Sequence, residues 1–215
     1  MDRDARPPAE TVLDEPGGRY IDFLLPGLLG TNLMGGGLWG VGFVVVDLRV
    51  RKLLKRFLAT PMRRTDFLLS LMLSRLVFTL VEIALLLGFA YLVFGIRVRG
   101  DLGAFAALLF LGGASFAGIG LLVASRAKTI ETVSGLMNLA ILPGYLFCGV
   151  FFAYTRFPVE FQPVIQLLPL TALLDGLREV MNDGAGWSAV WRPAATLTAW
   201  GAVSFAVALR YFRWR

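Results

Sequence analysis

The sequence has no histidine and a single cysteine, Cys148. These absences exclude an internal disulfide, a Cys/His zinc site and a histidine proton relay. Charge is scarce as well: 17% of the 215 residues are Asp, Glu, Lys or Arg, against 57% hydrophobic. No G-x-x-x-x-G-K-[ST] loop is present, so the chain does not hydrolyse ATP through that phosphate cradle. A G-x-S-x-G elbow, an H-E-x-x-H helix and a catalytically spaced carboxylate pair are also missing. No metal, no cofactor and no enzymatic activity of its own are therefore expected. The first 21 residues, MDRDARPPAETVLDEPGGRYI, lack the apolar core of a signal peptide. Three prolines and five acids make them a polar tail, disordered or extended, ahead of a membrane domain over 22–215.

What the chain does have is long apolar runs, too many for one soluble core of this size. Five are long enough to cross a bilayer: 23–46, 67–95, 102–124, 132–152 and 188–209. The expected fold is all-α, a polytopic helical membrane protein. The net charge of +6 does not point to nucleic acid, because the basic residues lie between the spans. Strict alternation puts 47–66, 125–131 and 210–215 on one side, and these segments hold 12 of the 21 basic residues. The positive-inside bias makes that side cytoplasmic and the N-terminus external. A second reading adds one more span upstream, making the acidic tail the end of an external loop and the total six helices.

Between the fourth and fifth spans, residues 153–187 are too apolar for an open loop. Pro158, Pro163 and Pro169 forbid one continuous helix. After Thr171, however, Leu170, Leu173, Leu174, Leu177 and Met181 keep helical spacing, with Asp175, Arg178 and Glu179 off that stripe. A short external helix with its leucines inward is expected before the last span.

Residues 47–66 dip from one apolar run to the next through seven basic residues. Val50, Leu53, Leu54, Phe57 and Leu58 form a helical apolar stripe, and Arg49, Lys52, Lys55 and Arg56 fall on the opposite arc. Pro61 stops the helix, and Thr65 or Asp66 is a suitable cap for the next span. Such a helix suits anionic lipid, at about 1 kcal/mol per basic residue near the surface, or the cleft of a partner protein.

Charge inside a span is costly. The second run holds Arg75 and Glu82, seven residues apart, which is two turns or about 10 Å along the axis. On axial distance alone a direct bond between them is not expected; Arg75 reaches for the membrane surface and Glu82 packs or lines a path. Asn138 and Pro143 in the fourth span are packing or path residues of the same sort. Gly36 with Gly40, Gly113 with Ala117 and Ala114 with Gly118 are small-residue pairs that admit close neighbours. Cys148 is expected to be a buried packing residue.

RYIDFLLPGLLG, the basic loop ending in ATPMRRTDFLLS, the stretch FAGIGLLVASRAKTIETVSGLMNLAILPGYLFCGVFF and the Pro-rich LPLTALLDGLREV occur in that order. Together they resemble the permease subunits of type-2 ATP-binding-cassette exporters, of the daunorubicin-resistance and nodulation type, over residues 20–215. That resemblance implies six spans per subunit and makes 47–64 the cytoplasmic coupling helix. Arg49, Lys52, Leu53, Lys55, Arg56, Phe57, Pro61, Arg63 and Arg64 would then dock on a separate ATP-binding subunit, which binds the ATP. It further implies a homodimer or paired permease, surrounded by lipid in a bacterial inner membrane, exporting a drug, lipid or glycolipid. The other readings are a membrane scaffold with a lipid-binding basic loop, and an ion-coupled carrier. The carrier would need acids or histidines in several spans, whereas Glu82 is the one deep acid.

Overall fold

The computed structural model describes residues 20–53, 63–148 and 160–211. Among them every regular element is helical, and no strand occurs. Helix α1 (Tyr20–Gly37) passes through a π-helical segment, Leu38–Phe43, directly into α2 (Val44–Val50). Then follow α3 (Arg64–Phe94), α4 (Leu102–Ala124), α5 (Ile130–Phe147), the short α6 (Gln162–Gln166), α7 (Pro169–Met181) and α8 (Trp187–Tyr211).

Among the described residues four rods are long and apolar enough to cross a membrane: Ile21–Val50, Thr65–Phe94, Leu102–Ala124 and Ile130–Phe147. The fifth expected span falls on the 25-residue α8, which is not one of these four. Arg192, Pro193 and several serines and threonines in its sequence leave it outside that set. The first rod also runs one turn further than expected. The backbone N–H of Arg51 bonds Asp47 O at 2.9 Å and its Nε bonds Asp47 Oδ1 at 2.9 Å, so helix persists until Lys52 takes φ 61°. Arg49 and Val50 therefore close a span instead of opening a separate amphipathic helix. Leu54, Phe57 and Leu58 of the expected stripe lie outside the described residues.

Neither Thr65 nor Asp66 caps α3. Arg63 takes the extended N-cap position without a side-chain cap, and Asp66 sits in the first turn, where a negative charge faces the positive end of the helix. Caps do form at α4, where the Asp101 carboxylate accepts from Ala104 N at 2.9 Å, and at α5, where Thr129 Oγ1 accepts from Thr132 N at 3.2 Å. Gly95, at φ 67°, ends α3 while the Ile96 N–H reaches back to Ala90 O at 3.3 Å.

Helix α4 is the axis of the bundle, and α1, the π-segment and α8 rest on it. Close approach needs missing side chains. A Cβ at Gly120 would lie 2.7 Å from Gly37 O and 3.0 Å from Leu38 Cα, and one at Gly118 would lie 3.2 Å from Gly201 O. Ser115 Oγ donates to Leu197 O across the same contact. Gly118 thus serves the close packing expected of it, and a Cβ at Gly113 would lie 2.7 Å from Leu76 Cδ2 of α3.

Helix α7 matches its expectation closely. Leu170, Leu173, Leu174, Leu177 and Met181 are all buried, and Cys148 is buried as well. The helix starts at Pro169, two residues before Thr171, because a proline at the first helical turn gives up an N–H that had no partner there anyway.

The loops sort into two ends as alternation requires. At one end Asn182 Nδ2 donates to Asp22 O at 3.2 Å, Gly100 N to Val180 O at 2.9 Å, and Arg178 lies 4.1 Å from the Phe23 ring centre. At the other end Arg49 meets the turn after α4, and Arg126 lies 5.0 Å from the Tyr211 ring centre.

Candidate coupling and transport site

Arg49 stands in the last turn of α2. Its Nη1 donates to Ala124 O at 2.9 Å and to Ala127 O, and its Nη2 to Ser125 O at 3.4 Å. The last carbonyls of a helix have no partner within it, and they form the negative end of its dipole. A planar guanidinium with several donors suits that cluster. Arg49 therefore fastens the start of the basic loop to the C-terminus of the central helix. Of the other residues expected to dock a partner, Lys52 and Arg63 are exposed and Leu53 is half-buried. Arg64 is the first residue of α3, whereas Lys55, Arg56, Phe57 and Pro61 lie outside the described residues.

Within α3 the structure overturns one expectation outright. Arg75 Nη1 donates to Glu82 Oε1 at 3.2 Å and Nη2 to Glu82 Oε2 at 3.0 Å. The two-turn gap is closed because helical side chains lean toward the N-terminus, which brings the Glu82 carboxylate back while the long Arg75 side chain extends forward. The fork geometry satisfies two donors and both carboxylate oxygens at once. The groove between Gly36 and Gly40 holds the arginine. A Cβ at Gly40 would lie 2.7 Å from Arg75 Cδ, and one at Gly36 would collide with Nη2. The glycine pair thus makes room for a charged side chain from α3, at the turn where α1 passes into the π-segment. π-bulges are frequent at functional sites.

Asn138 is exposed on α5, and Pro143, half-buried, is separated from the ion pair and borders a cavity of about 230 Å³. Met34, Leu38, Phe116, Gly144 and Trp200 also face that cavity, and nearly all of its surface is apolar. Trp200 Nε1 donates to Leu167 O at 2.8 Å, fixing the ring against the α6–α7 junction. The structure therefore brings Arg75 and Glu82 together, sends Arg49 to the C-terminal end of α4, and places Pro143 beside an apolar cavity that neither the ion pair nor Arg49 lines. The roles of Gly36, Gly40 and Trp200 emerge only from the packing. For the glycines a sequence signal exists, since a GxxxG pair with an arginine on the next span is a charge and a groove to hold it.

The family model for the ABC-2 type transporter matches residues 10–182. The chain belongs to this family. Similar proteins include ABC transporter G family member 20 of Dictyostelium discoideum, 27% identical over 196 residues, covering 88% of this chain and 26% of the relative. Linearmycin resistance permease protein LnrN of Bacillus subtilis is 25% identical over 174 residues, 81% of this chain and 45% of the relative. Inner membrane transport permease YhhJ of Escherichia coli is 26% identical over 121 residues, 56% of this chain and 32% of the relative. The chain thus spans less than half the length of these relatives. The resemblance read from the motifs thus holds at the level of the ABC-2 type transporter family, with several described helices long and apolar enough to cross a membrane.

Proposed function

We propose that this protein is the membrane-spanning subunit of an ATP-binding-cassette exporter in a bacterial inner membrane. It carries an amphipathic or lipid-linked molecule outward, and a separate subunit that docks on the basic loop hydrolyses the ATP. Five spans, with α8 as the last, and two copies of the chain complete this reading. The observation that carries it is the Arg49 clasp. A force applied to the loop after Val50 meets the end of α4, the helix on which α1 and α8 rest, so docking there can bias two arrangements of the bundle. The apolar cavity beside Trp200 supports an amphipathic cargo. Glu82 is already occupied by Arg75, which weighs against an ion-coupled carrier.

Because Arg49 is engaged within the chain, the docking charges are Lys52, Lys55, Arg56, Arg63 and Arg64. The test is co-purification of the ATP-binding subunit with the charge-reversal variant Lys52→Glu/Lys55→Glu/Arg63→Glu. At least tenfold less ATPase should be retained, with the melting temperature of the membrane subunit unchanged. Full retention of the ATPase would remove the loop as its docking surface.

A further inference from the structure

At the end of the bundle that carries Asp22, Gly100 and Asn182, a cleft of about 500 Å³ opens between α6, α7 and α8. Gln166, Asp175 and Glu179 line one wall, and Arg192, Pro193 and Thr196 the other. Its three charges are in different situations. Asp175 lies 4.0 Å from Arg178. Glu179 makes no side-chain hydrogen bond or ion pair among the described residues, and its Oε2 is buried without a partner. Arg192 stacks 5.4 Å from the centre of the Trp191 ring and meets no carboxylate among the described residues.

An acid and a base that share one cleft without closing on each other leave room for a molecule that carries both complementary charges. Burial, and after it the nearby Asp183, pushes the Glu179 carboxyl above its ordinary range; a cation beside that carboxylate would offset both effects. Depth in the membrane narrows the ligand further. Trp187 and Trp191 at the start of α8 are exposed, at 57% and 60%, and tryptophans in such positions mark the level of lipid headgroups. Apolar Leu167 and Ala172 complete the lining.

We propose that this cleft binds a zwitterionic phosphoamine headgroup, its ammonium at Glu179 and its phosphate at Arg192. The cleft is distinct from the apolar cavity beside Pro143, and the proposal holds whichever end of the bundle faces the cytoplasm. Removing the charge-assisted interaction at either pole should weaken binding about tenfold or more.

The test uses the whole purified chain in detergent and measures binding of three probes by calorimetry. Dihexanoyl-phosphatidylethanolamine supplies both charges and short chains, dihexanoyl-phosphatidylglycerol lacks the amine, and glycerophosphoethanolamine lacks the chains. The phosphatidylethanolamine probe should bind about tenfold more tightly than the phosphatidylglycerol probe. Glu179→Gln, nearly isosteric, should erase that preference, while Arg192→Gln should weaken both lipids. Ala189→Phe, which fills the cleft from exposed α8 surface without altering either charge, should abolish binding. Equal binding of glycerophosphoethanolamine identifies a soluble zwitterion as sufficient; tenfold weaker binding identifies a lipid. Equal affinity of the unaltered protein for the two lipids, or a preference that survives Glu179→Gln or Ala189→Phe, would overturn the proposal.

Discussion

Helices α3 and α4 are both apolar enough to span a bilayer, yet 17% of the best α3 window is buried inside the protein and 56% of the α4 window. Hydrophobicity therefore does not decide which helix is central. In a soluble protein apolar surface seeks the core, but in lipid a leucine is equally at home outside. The difference lies in side-chain size. Helix α4 reads LGAFAALLFLGGASFAGIGLLVA, with glycine, alanine and serine where α1 and α8 approach. Helix α3 exposes Leu73, Phe78, Leu85, Phe89 and Leu92 along most of its length. It is held to the bundle at a few points, of which the Arg75 side chain in the Gly36–Gly40 groove is the most specific.

The same substitution on the two helices should break this comparison most clearly. Gly120→Ala pushes a Cβ against backbone at Gly37 and Leu38, which cannot yield as a side-chain tip can, and should cost about 2–3 kcal/mol. Gly88→Ala on α3 meets nothing within 4 Å and should be neutral or stabilising by about 0.5 kcal/mol. Thermal unfolding of both variants in one detergent measures the contrast; equal shifts would refute the central placement of α4. A smaller effect is expected from the ion pair. Glu82→Leu strands the guanidinium between α1 and α3 and should cost about 2 kcal/mol. Arg75→Leu/Glu82→Leu together should recover most of that loss, and a double-mutant cycle without coupling would show the pair to be incidental. The smallest effect belongs to Leu92→Ala, at 81% exposure, which should change stability by less than about 0.5 kcal/mol. A loss above about 2 kcal/mol there would mean that another protein surface covers α3.

Much of the fold was legible because helices must satisfy their own backbone in lipid, so apolar length translates directly into rods. The leucine stripe of α7 was readable for a related reason. Its polar residues Asp175, Arg178 and Glu179 fix the face that must turn away from the leucines, which leaves one orientation for Leu173 and Leu177. Positions that depend on reach or on backbone winding were not readable. Arg49 looked like part of a cationic face because its partners are carbonyls, which every residue has and which leave no mark in the sequence. The pairing of Arg75 with Glu82 does not follow from axial rise alone, because side-chain lean closes the two-turn gap. The cleft charges Glu179 and Arg192 stand 13 positions apart on different helices, and only the packing of α7 on α8 puts them on one cleft.

The π-helical segment Leu38–Phe43 also sets an angle. A widened turn admits one residue more than an α-helix would, and one residue corresponds to about 100° of rotation. Everything from Val44 onward is clocked by that amount relative to Gly37. This offset is what aims Arg49 at the carbonyls beyond Leu122. Removing a single residue from the segment would leave the rod intact and swing the guanidinium away from its seat, unlatching one end of the molecule through a change upstream in the same rod.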